Sequence, residues 1–540
     1  MNSTNLHRLS LLLFLAATLL HGYAALRFNT NLQSGDQGAY LHLALAQAEG
    51  RNMTDGNRHP LYPALLFPMA ERSPEFFARA RWVSFFFGTG LLVLIAGYEW
   101  KARKDPLAGA LALAVFSVQV QMARTLSEIW CEPLLYLLVY TLWLLSGKIR
   151  EGRSYLLLAG LLTGLAYLTK GTGLLVSVLF WVTAFATVKP RKWVAVGLLI
   201  FLVVSSPLLV WNTITHGNPT YSFASTHNMW FDEADQIWYN DATDLPTLGT
   251  YLQTHNFSEI SSRFAHGLWL ESKMAFQLLW SDWSLPNFAG TWFQWFHTLF
   301  KGMVFLLIAS AIVLYFLRKL RAGDKSAIPS PTPRACLLFF SLMVLAFFPS
   351  FGWYAQLTNQ PRFLMTLAPI AVVLGARAVS NLLHRARSSR NRMLRAAPSI
   401  FVYLMLAEAF ITIAISADFA RTARTFPPPK LENLAQSTLT AVDNLPEDSA
   451  IASGPSHGLP LWLSRGDIRW RYTPWEISWE QFVEMLDREG IGYVLIDRET
   501  IARRPYLQKL TDPSAVSDLG WKILYRDRGK ENLFVLYEVM

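Results

Sequence analysis

The chain has 540 residues, of which 52% are hydrophobic and only 16% charged, and its mean hydropathy is +0.25. Soluble proteins carry roughly a quarter of their residues as charges, so this composition excludes an ordinary soluble protein and points to a polytopic membrane protein. The net charge of +10 is spread over short basic clusters between apolar runs, which excludes a nucleic-acid footprint. Cys131 and Cys336 lie in or beside separate apolar spans, so neither a disulfide framework nor a CxxC metal site is available.

Crossing the hydrocarbon core takes roughly 20 apolar residues, and about eleven stretches approach that length. In order, they are Leu9 to Leu26, Trp82 to Trp100, Leu107 to Ala123, Ile129 to Ser146, Tyr155 to Leu168, Thr172 to Val188 and Trp193 to Trp211. Phe296 to Phe316, Ala335 to Phe351, Phe363 to Val379 and Ala397 to Ala417 complete the set. The first is read as a retained anchor; the alternative is a signal peptide cleaved near Tyr23-Ala24-Ala25. Either choice delivers the following loop to the outside.

Alternate loops are basic. Lys101, Arg103 and Lys104, then Lys148, Arg150 and Arg153, then Lys189, Arg191 and Lys192 follow the second, fourth and sixth spans. Arg318, Lys319, Arg321 and Lys325 follow the eighth; Arg385, Arg387, Arg390, Arg392 and Arg395 follow the tenth. Basic loops stay in the cytoplasm, so the N-terminus is expected there and the C-terminus outside. The external loops are then 27–81 and 212–295. The second of these is rich in Trp (Trp230, Trp238, Trp269, Trp280, Trp283, Trp292, Trp295), which reads as anchoring at the headgroup level or as substrate contact, with Phe264 to Trp280 as a helix in the interface.

Pro427-Pro428-Pro429 marks a linker, which divides the chain into a membrane domain, 1–420, and an extracytoplasmic domain, 421–540. The second domain alternates short strands (Ala450 to Ser453, Ile468 to Tyr472, Gly492 to Ile496, Trp521 to Tyr525, Phe534 to Val539) with helices, most clearly Ser478 to Arg488. The expected fold class is therefore mainly α: a transmembrane helical bundle with external loop helices and a small C-terminal α/β domain. That domain lacks a glycine-rich phosphate loop and a paired nucleophile and base, so its expected role is to cover or stabilise the membrane site.

Charge near hydrocarbon is costly and is usually paired or used. On the external side, Asp36 opens a helix reaching Ala48 and is either an N-terminal cap or a reactive carboxylate. Arg58 and His59 precede Pro60-Leu61-Tyr62-Pro63; the histidine is a ligand, a base or a structural residue. Arg124, Glu128 and Glu132 cluster at the ends of the third and fourth spans, with Glu132 just before Pro133. Lys170 and Arg362 are cations at external span ends, each either an anchor or a holder of an anionic headgroup, and Arg362 has the fork that matches phosphate oxygens.

In their order along the chain, Asp36 in the first external loop, His59 to Tyr62, Glu132-Pro133-Leu134-Leu135, Leu168-Thr169-Lys170-Gly171 and Arg362-Phe363-Leu364 before Pro369 resemble the GT-C superfamily of polytopic glycosyltransferases, particularly bacterial aminoarabinose transferases and protein O-mannosyltransferases. The resemblance covers most of the membrane region. It implies an enzyme of the bacterial inner membrane that moves a sugar from a polyprenyl-phosphate donor to a hydroxyl of a lipid, glycan or protein acceptor on the external face, with inversion. Asp36 is then the base, and Arg58, His59, Tyr62, Arg124, Glu132, Lys170 and Arg362 are substrate-binding candidates. No cofactor is implied. The departure is Gln37, where several members have a second acid, and it puts a metal-dependent variant in doubt. The competing reading is a lipid-linked sugar transporter or flippase, but no internal repeat of the kind such proteins often show is visible.

Overall fold

The computed structural model describes residues 3–539 except 31, 33–34, 118, 234–244, 281–298, 301, 303–332, 359, 389, 423–430, 432, 455–458, 475–476 and 528–533. The expected eighth span apart from Leu299, Phe300 and Gly302, its basic loop, the proline linker and Trp238, Trp283, Trp292 and Trp295 lie outside the described residues, as does the side chain of Trp280. The chain is a multi-pass membrane protein. Among the described residues, five helices are individually long and apolar enough to cross a bilayer: Thr4–Phe28, Pro74–Ala102, Lys192–His216, Arg334–Tyr354 and Arg395–Thr422.

The bundle begins with α1 (Ser3–Phe28), then α2 (Gly35–Ala48) and α3 (Leu61–Leu66) in the first loop, and α4 (Pro74–Gly97). The third expected span is not one helix. It divides into α5 (Pro106–Ser117) and α6 (Val120–Ser127), bent by 80°. The reason is polarity: Gln121, Arg124, Thr125 and Ser127 on α6 are poorly suited to continuing through hydrocarbon, and Gln119 at the break donates to the Leu278 carbonyl at 2.8 Å. Next come α7 (Glu132–Ser146), α8 (Arg153–Thr169), α9 (Thr172–Thr187) and α10 (Lys192–His216). A proline in the first turn starts α7 at Glu132.

Helices α8 and α10 approach closely. A Cβ on Gly160 would lie 2.3 Å from the Gly197 carbonyl and one on Gly164 2.6 Å from Val204, so the small-xxx-small pattern on α8 is what lets the backbones meet. Beyond the second loop lie α11 (Phe257–Trp280), which packs on α12 (Arg334–Tyr354), the short α13 (Pro361–Leu364), α14 (Ala368–Arg387) and α15 (Arg392–Thr422). The expected tenth span is thus divided too, because Pro369 starts a new helix in the first turn of α14. At the end of the bundle with the basic loops, Arg377 of α14 donates to Glu99 at 2.5 Å and lies 5.0 Å from the Trp143 ring centre, tying α14 to the end of α4.

The C-terminal part is a five-stranded sheet of β1 (Ala450–Ser453), β2 (Arg469–Tyr472), β3 (Tyr493–Ile496), β4 (Lys522–Arg526) and β5 (Val535–Glu538), in the order β2-β1-β3-β5-β4. The β2-β1-β3 pairs are parallel, with Ala450 opposite Arg469 and Ile451 opposite Tyr493; β5 is antiparallel to both β3 and β4. Helix α16 (Trp479–Arg488) starts from a capping box in which Ser478 and Gln481 bond each other's backbone N–H. All five strands lie where the sequence places them.

Alternation along the strands loads both faces of the sheet. Ala450, Ala452, Val494, Ile496, Val535 and Tyr537 face a cluster with Phe482, Met485 and Leu486 of α16. Ile451, Leu495 and Leu536 face the other way, into a core shared with Leu41, Ala44 and Leu45 of α2 and Phe76 of α4. Trp462 is the centre of this joint: it is buried, packs edge-on to Phe76 at 6.0 Å and donates its indole N–H to the Leu32 carbonyl at 2.8 Å. The sheet therefore forms the floor beneath α2. Trp462→Ala is expected to cost about 3–5 kcal/mol, read as a lower Tm of the detergent-solubilised protein and earlier proteolytic release of the C-terminal part; an unchanged Tm would show that the two parts fold independently.

Candidate active site

Asp36 sits in the first turn of α2, where the helix dipole favours a carboxylate. Its neighbour Gln37 faces the opposite way and is buried; its Oε1 accepts from Asn29 Nδ2 and from the Ile129 N–H, each at 2.9 Å. Asn29 also donates to the Ser127 carbonyl at 2.8 Å, and Arg81 of α4 donates to the Asn29 carbonyl. The start of α2 is thus pinned to α1, α4 and α6. Gln37 is not among the residues that line the cavity described below.

The cations arrive from separate parts of the chain. Asp55 folds the loop before α3 by accepting from the N–H of Asn57 at 2.9 Å and of Arg58 at 2.6 Å, and it takes Arg58 Nη1 at 2.7 Å. Arg58 Nη2 then reaches Asp36 Oδ1 at 2.7 Å. Arg362, in α13, reaches the other oxygen, Oδ2, at 2.6 Å, and its guanidinium lies 4.9 Å from the Trp130 ring centre. Tyr136 donates to the Arg362 carbonyl at 2.5 Å. Lys170, just past α8, binds Glu132 at the start of α7 at 2.7 Å and lies 5.3 Å from the Phe363 ring centre. Arg362 Nε is 3.8 Å from Glu132 and makes no hydrogen bond among the described residues.

These groups line one cavity of about 540 Å³, together with Tyr40, His59, Tyr167, Asn228 and Tyr354. Its apolar wall is formed by Leu174, Leu175 and Val178 of α9 and by Phe351, which stacks on Phe363 at 5.2 Å. Of the residues expected at the site, Asp36, Arg58, His59, Glu132, Lys170 and Arg362 are brought together. Tyr62 and Arg124 are not on the wall. Tyr62 is buried against Tyr40, bonded to Ser84 at 2.5 Å, and Arg124 pairs with Glu128 at 2.8 Å and lies 5.3 Å from the Trp130 ring centre. Among the described residues no three His, Cys, Asp or Glu side chains gather as a metal set.

Burial pushes the Asp36 carboxyl up, but Arg362 and Arg58 outweigh it and hold the group well below the usual carboxylate range. Burial dominates at His59 and brings it down to about 4, against a backbone bond from Nδ1 to the Tyr167 carbonyl at 2.5 Å. The ring is therefore neutral at neutral pH, with Nδ1–H donating and Nε2 left as an acceptor. Sequence reading missed Tyr40, Trp130, Asn228 and Tyr354. The two tyrosines and Trp130 stand next to quoted motifs, whereas nothing local marks Asn228. Trp230, read as an anchor or a substrate contact, is packed on Trp353 at 5.8 Å and Tyr251 at 5.9 Å, whereas Trp269 is exposed.

A helical bundle with one charged cavity beside an apolar wall, and a sheet packed on its first loop, defines the class of fold. The comparisons agree. Residues 80–211, running from α4 to α10, match the model of the dolichyl-phosphate-mannose-protein mannosyltransferase family. Over 97% of both chains, the structure is similar to ArnT from Cupriavidus metallidurans, solved bound to undecaprenyl phosphate and in the apo state, with a TM-score of 0.51 and 12% identity in each case. No curated protein matches the chain by sequence. The resemblance to polytopic GT-C glycosyltransferases is borne out in the fold.

His59 carries a pH signature. Its folded pKa, about 4, lies below the usual 6.5, so between these values the unfolded chain takes up a proton that the folded protein refuses. Stability is then full above pH 6.5 and falls as pH drops toward 4, by ~3 kcal/mol across the window. The Tm of the wild type should fall more steeply over this range than that of His59→Gln; parallel curves would show that folding does not change the protonation of His59.

Proposed function

We propose that the chain is an inverting glycosyltransferase that moves a sugar from a polyprenyl-phosphate donor to an acceptor hydroxyl. The observation that carries this reading is Asp36 between Arg58 and Arg362, beside the Lys170–Glu132 pair, in a cavity with an apolar wall. The polyprenyl-phosphate donor is supported by the undecaprenyl phosphate named for the similar ArnT structure and by the mannosyltransferase description of the matching family. By the distribution of basic loops, the N-terminus is cytoplasmic, the cavity faces the outside of a bacterial inner membrane, and residues 421–540 form an extracytoplasmic domain on residues 1–420.

The donor phosphate is an anion that competes with Asp36 for cations. Arg362, whose Nε is a spare donor, and Lys170 turn to the phosphate, with Arg58 as a further partner. This relieves Asp36 of the charges that suppress its basicity, so the base becomes competent only when the donor is present. The acceptor oxygen then bonds to the anomeric carbon as its proton passes to Asp36, and the bond from that carbon to the phosphate oxygen breaks. Polyprenyl phosphate departs with the electron pair, its new charge held by the same cations. A single displacement inverts the centre. Glu132 orients Lys170, and the isoprenoid chain leaves along the wall of α9 and Phe351.

Asp36→Asn should retain the fold and keep or tighten polyprenyl-phosphate binding, since two arginines are released, while transfer falls by 10²–10⁴-fold. Arg362→Ala and Lys170→Ala should each weaken that binding by about tenfold or more. Binding is measured with purified protein and labelled polyprenyl phosphate, and turnover by release of that product. Retained turnover in Asp36→Asn removes the base, unchanged affinity in both cation variants removes the phosphate clamp, and lipid translocation without any transfer replaces the enzyme with a flippase.

A further inference from the structure

The cavity also constrains the sugar, a point that rests on the donor reading above. Its charged lining consists of Arg58, Lys170 and Arg362 against Asp36 and Glu132. Asp55, just off the wall, pairs with Arg58 at 2.7 Å, so the described charges balance and the cluster holds no net negative charge that would attract an ammonium. Glu132 is committed to Lys170 at 2.7 Å, and Asp36 to the two arginines or to the acceptor proton. Among the described residues no further carboxylate lines the cavity for a sugar ammonium, and an unpaired buried charge is strongly disfavoured.

The rest of the polar lining is neutral: Asn57, Thr220, Ser222, Ser225, Asn228 and Tyr354 all lie on the wall, as does neutral His59. Asn228 is distinctive. It is only 8% exposed, and its Oδ1 is buried with no hydrogen-bond partner among the described residues. Leaving such an acceptor unpaired costs about 1–3 kcal/mol, so the site is built for a group that donates. Its backbone is also held firmly. The next carbonyl, of Met229, accepts from the Trp353 indole at 2.8 Å and from Arg263 at 3.0 Å, while Arg263 itself lies 4.5 Å from the Trp353 ring centre and 5.0 Å from that of Tyr251. His227 bonds the Pro246 carbonyl at 3.1 Å on the other side.

We infer that the donor carries an uncharged sugar, read through a hydroxyl that donates to Asn228, and that a donor with a free amino group on the sugar is rejected. A site made to bond a hydroxyl discriminates through its own unpaired groups, and here the wall presents three cations and no uncommitted carboxylate among the described residues. The test is release of polyprenyl phosphate from paired donors, one bearing a neutral hexose or pentose and one the corresponding amino sugar, with the wild-type protein and two variants.

The wild type should favour the neutral donors by tenfold or more in kcat/KM. Asn228→Ala should lose about tenfold or more on neutral donors while binding sugar-free polyprenyl phosphate as before. Asn228→Asp, which supplies the missing carboxylate, should raise the amino-sugar donor relative to the neutral one. Wild-type preference for the amino sugar, or an Asn228→Ala protein that transfers neutral sugar as well as the wild type, overturns the inference and leaves the glycosyltransferase reading standing. Absence of transfer from every polyprenyl-phosphate sugar by folded protein overturns both. The donor preference of the wild type decides the question even where a variant fails to fold.

Discussion

Mutual neutralisation of charge at the edge of hydrocarbon is the constraint from which the rest of this structure follows. Two carboxylates and three cations share one cavity, and any of them left alone there would carry a heavy desolvation penalty. The chain meets this by bringing together helix ends and loops far apart in sequence: Asp36 at the start of α2, Arg58 before α3, Glu132 at the start of α7, Lys170 after α8 and Arg362 in α13. Helix ends suit the task because a carboxylate gains from a helix N-terminus and a terminal residue can project beyond the packed bundle. The bundle serves to bring these ends to one level.

Much of that bundle was legible because hydrophobic runs and strand alternation are local signals. The sheet is the clearest case: residues such as Ile451, Leu495 and Leu536 alternate with Ala452, Val494 and Val535, and each set faces its own core. The α5–α6 bend was not legible as a run of apolar residues, because Leu107 to Ala123 passes a length test while Gln119 and Gln121 decide the path by hydrogen bonding and polarity. The tenth expected span divided for a comparable reason, since Pro369 starts a helix more readily than it continues one.

At the site, the sequence showed which ionisable groups stood near span ends but not which of them converge. Lys170 and Glu132 pair across helices, whereas Arg124 stays with Glu128 four residues along its own chain. Asn228 was invisible because its significance is relational: a neutral amide in a loop of ordinary composition matters only once its oxygen is seen to be buried without a partner among the described residues. The aromatic residues around it had a similar ambiguity. Trp353 and Tyr251 pack edge-on to each other and both lie against Arg263, and Trp353 and Arg263 hold the Met229 carbonyl, an internal task that composition alone equates with membrane anchoring.

The way the charges are mounted also determines which of them move. Asp36 is held from behind: Gln37 is bonded to Asn29 and Ile129, and α2 rests on Trp462 and the sheet. Arg362 stands on a four-residue helical turn and Arg58 in a loop, each at the end of a long side chain. When a phosphate competes for these guanidiniums, the carboxylate has no freedom to follow them, whereas the guanidiniums can swing by rotamer changes. Under the proposed chemistry this asymmetry has a purpose. A base that moved with its counter-ions would stay suppressed, but one fixed to a packed helix is uncovered as they leave, at the position where the acceptor proton has to be taken.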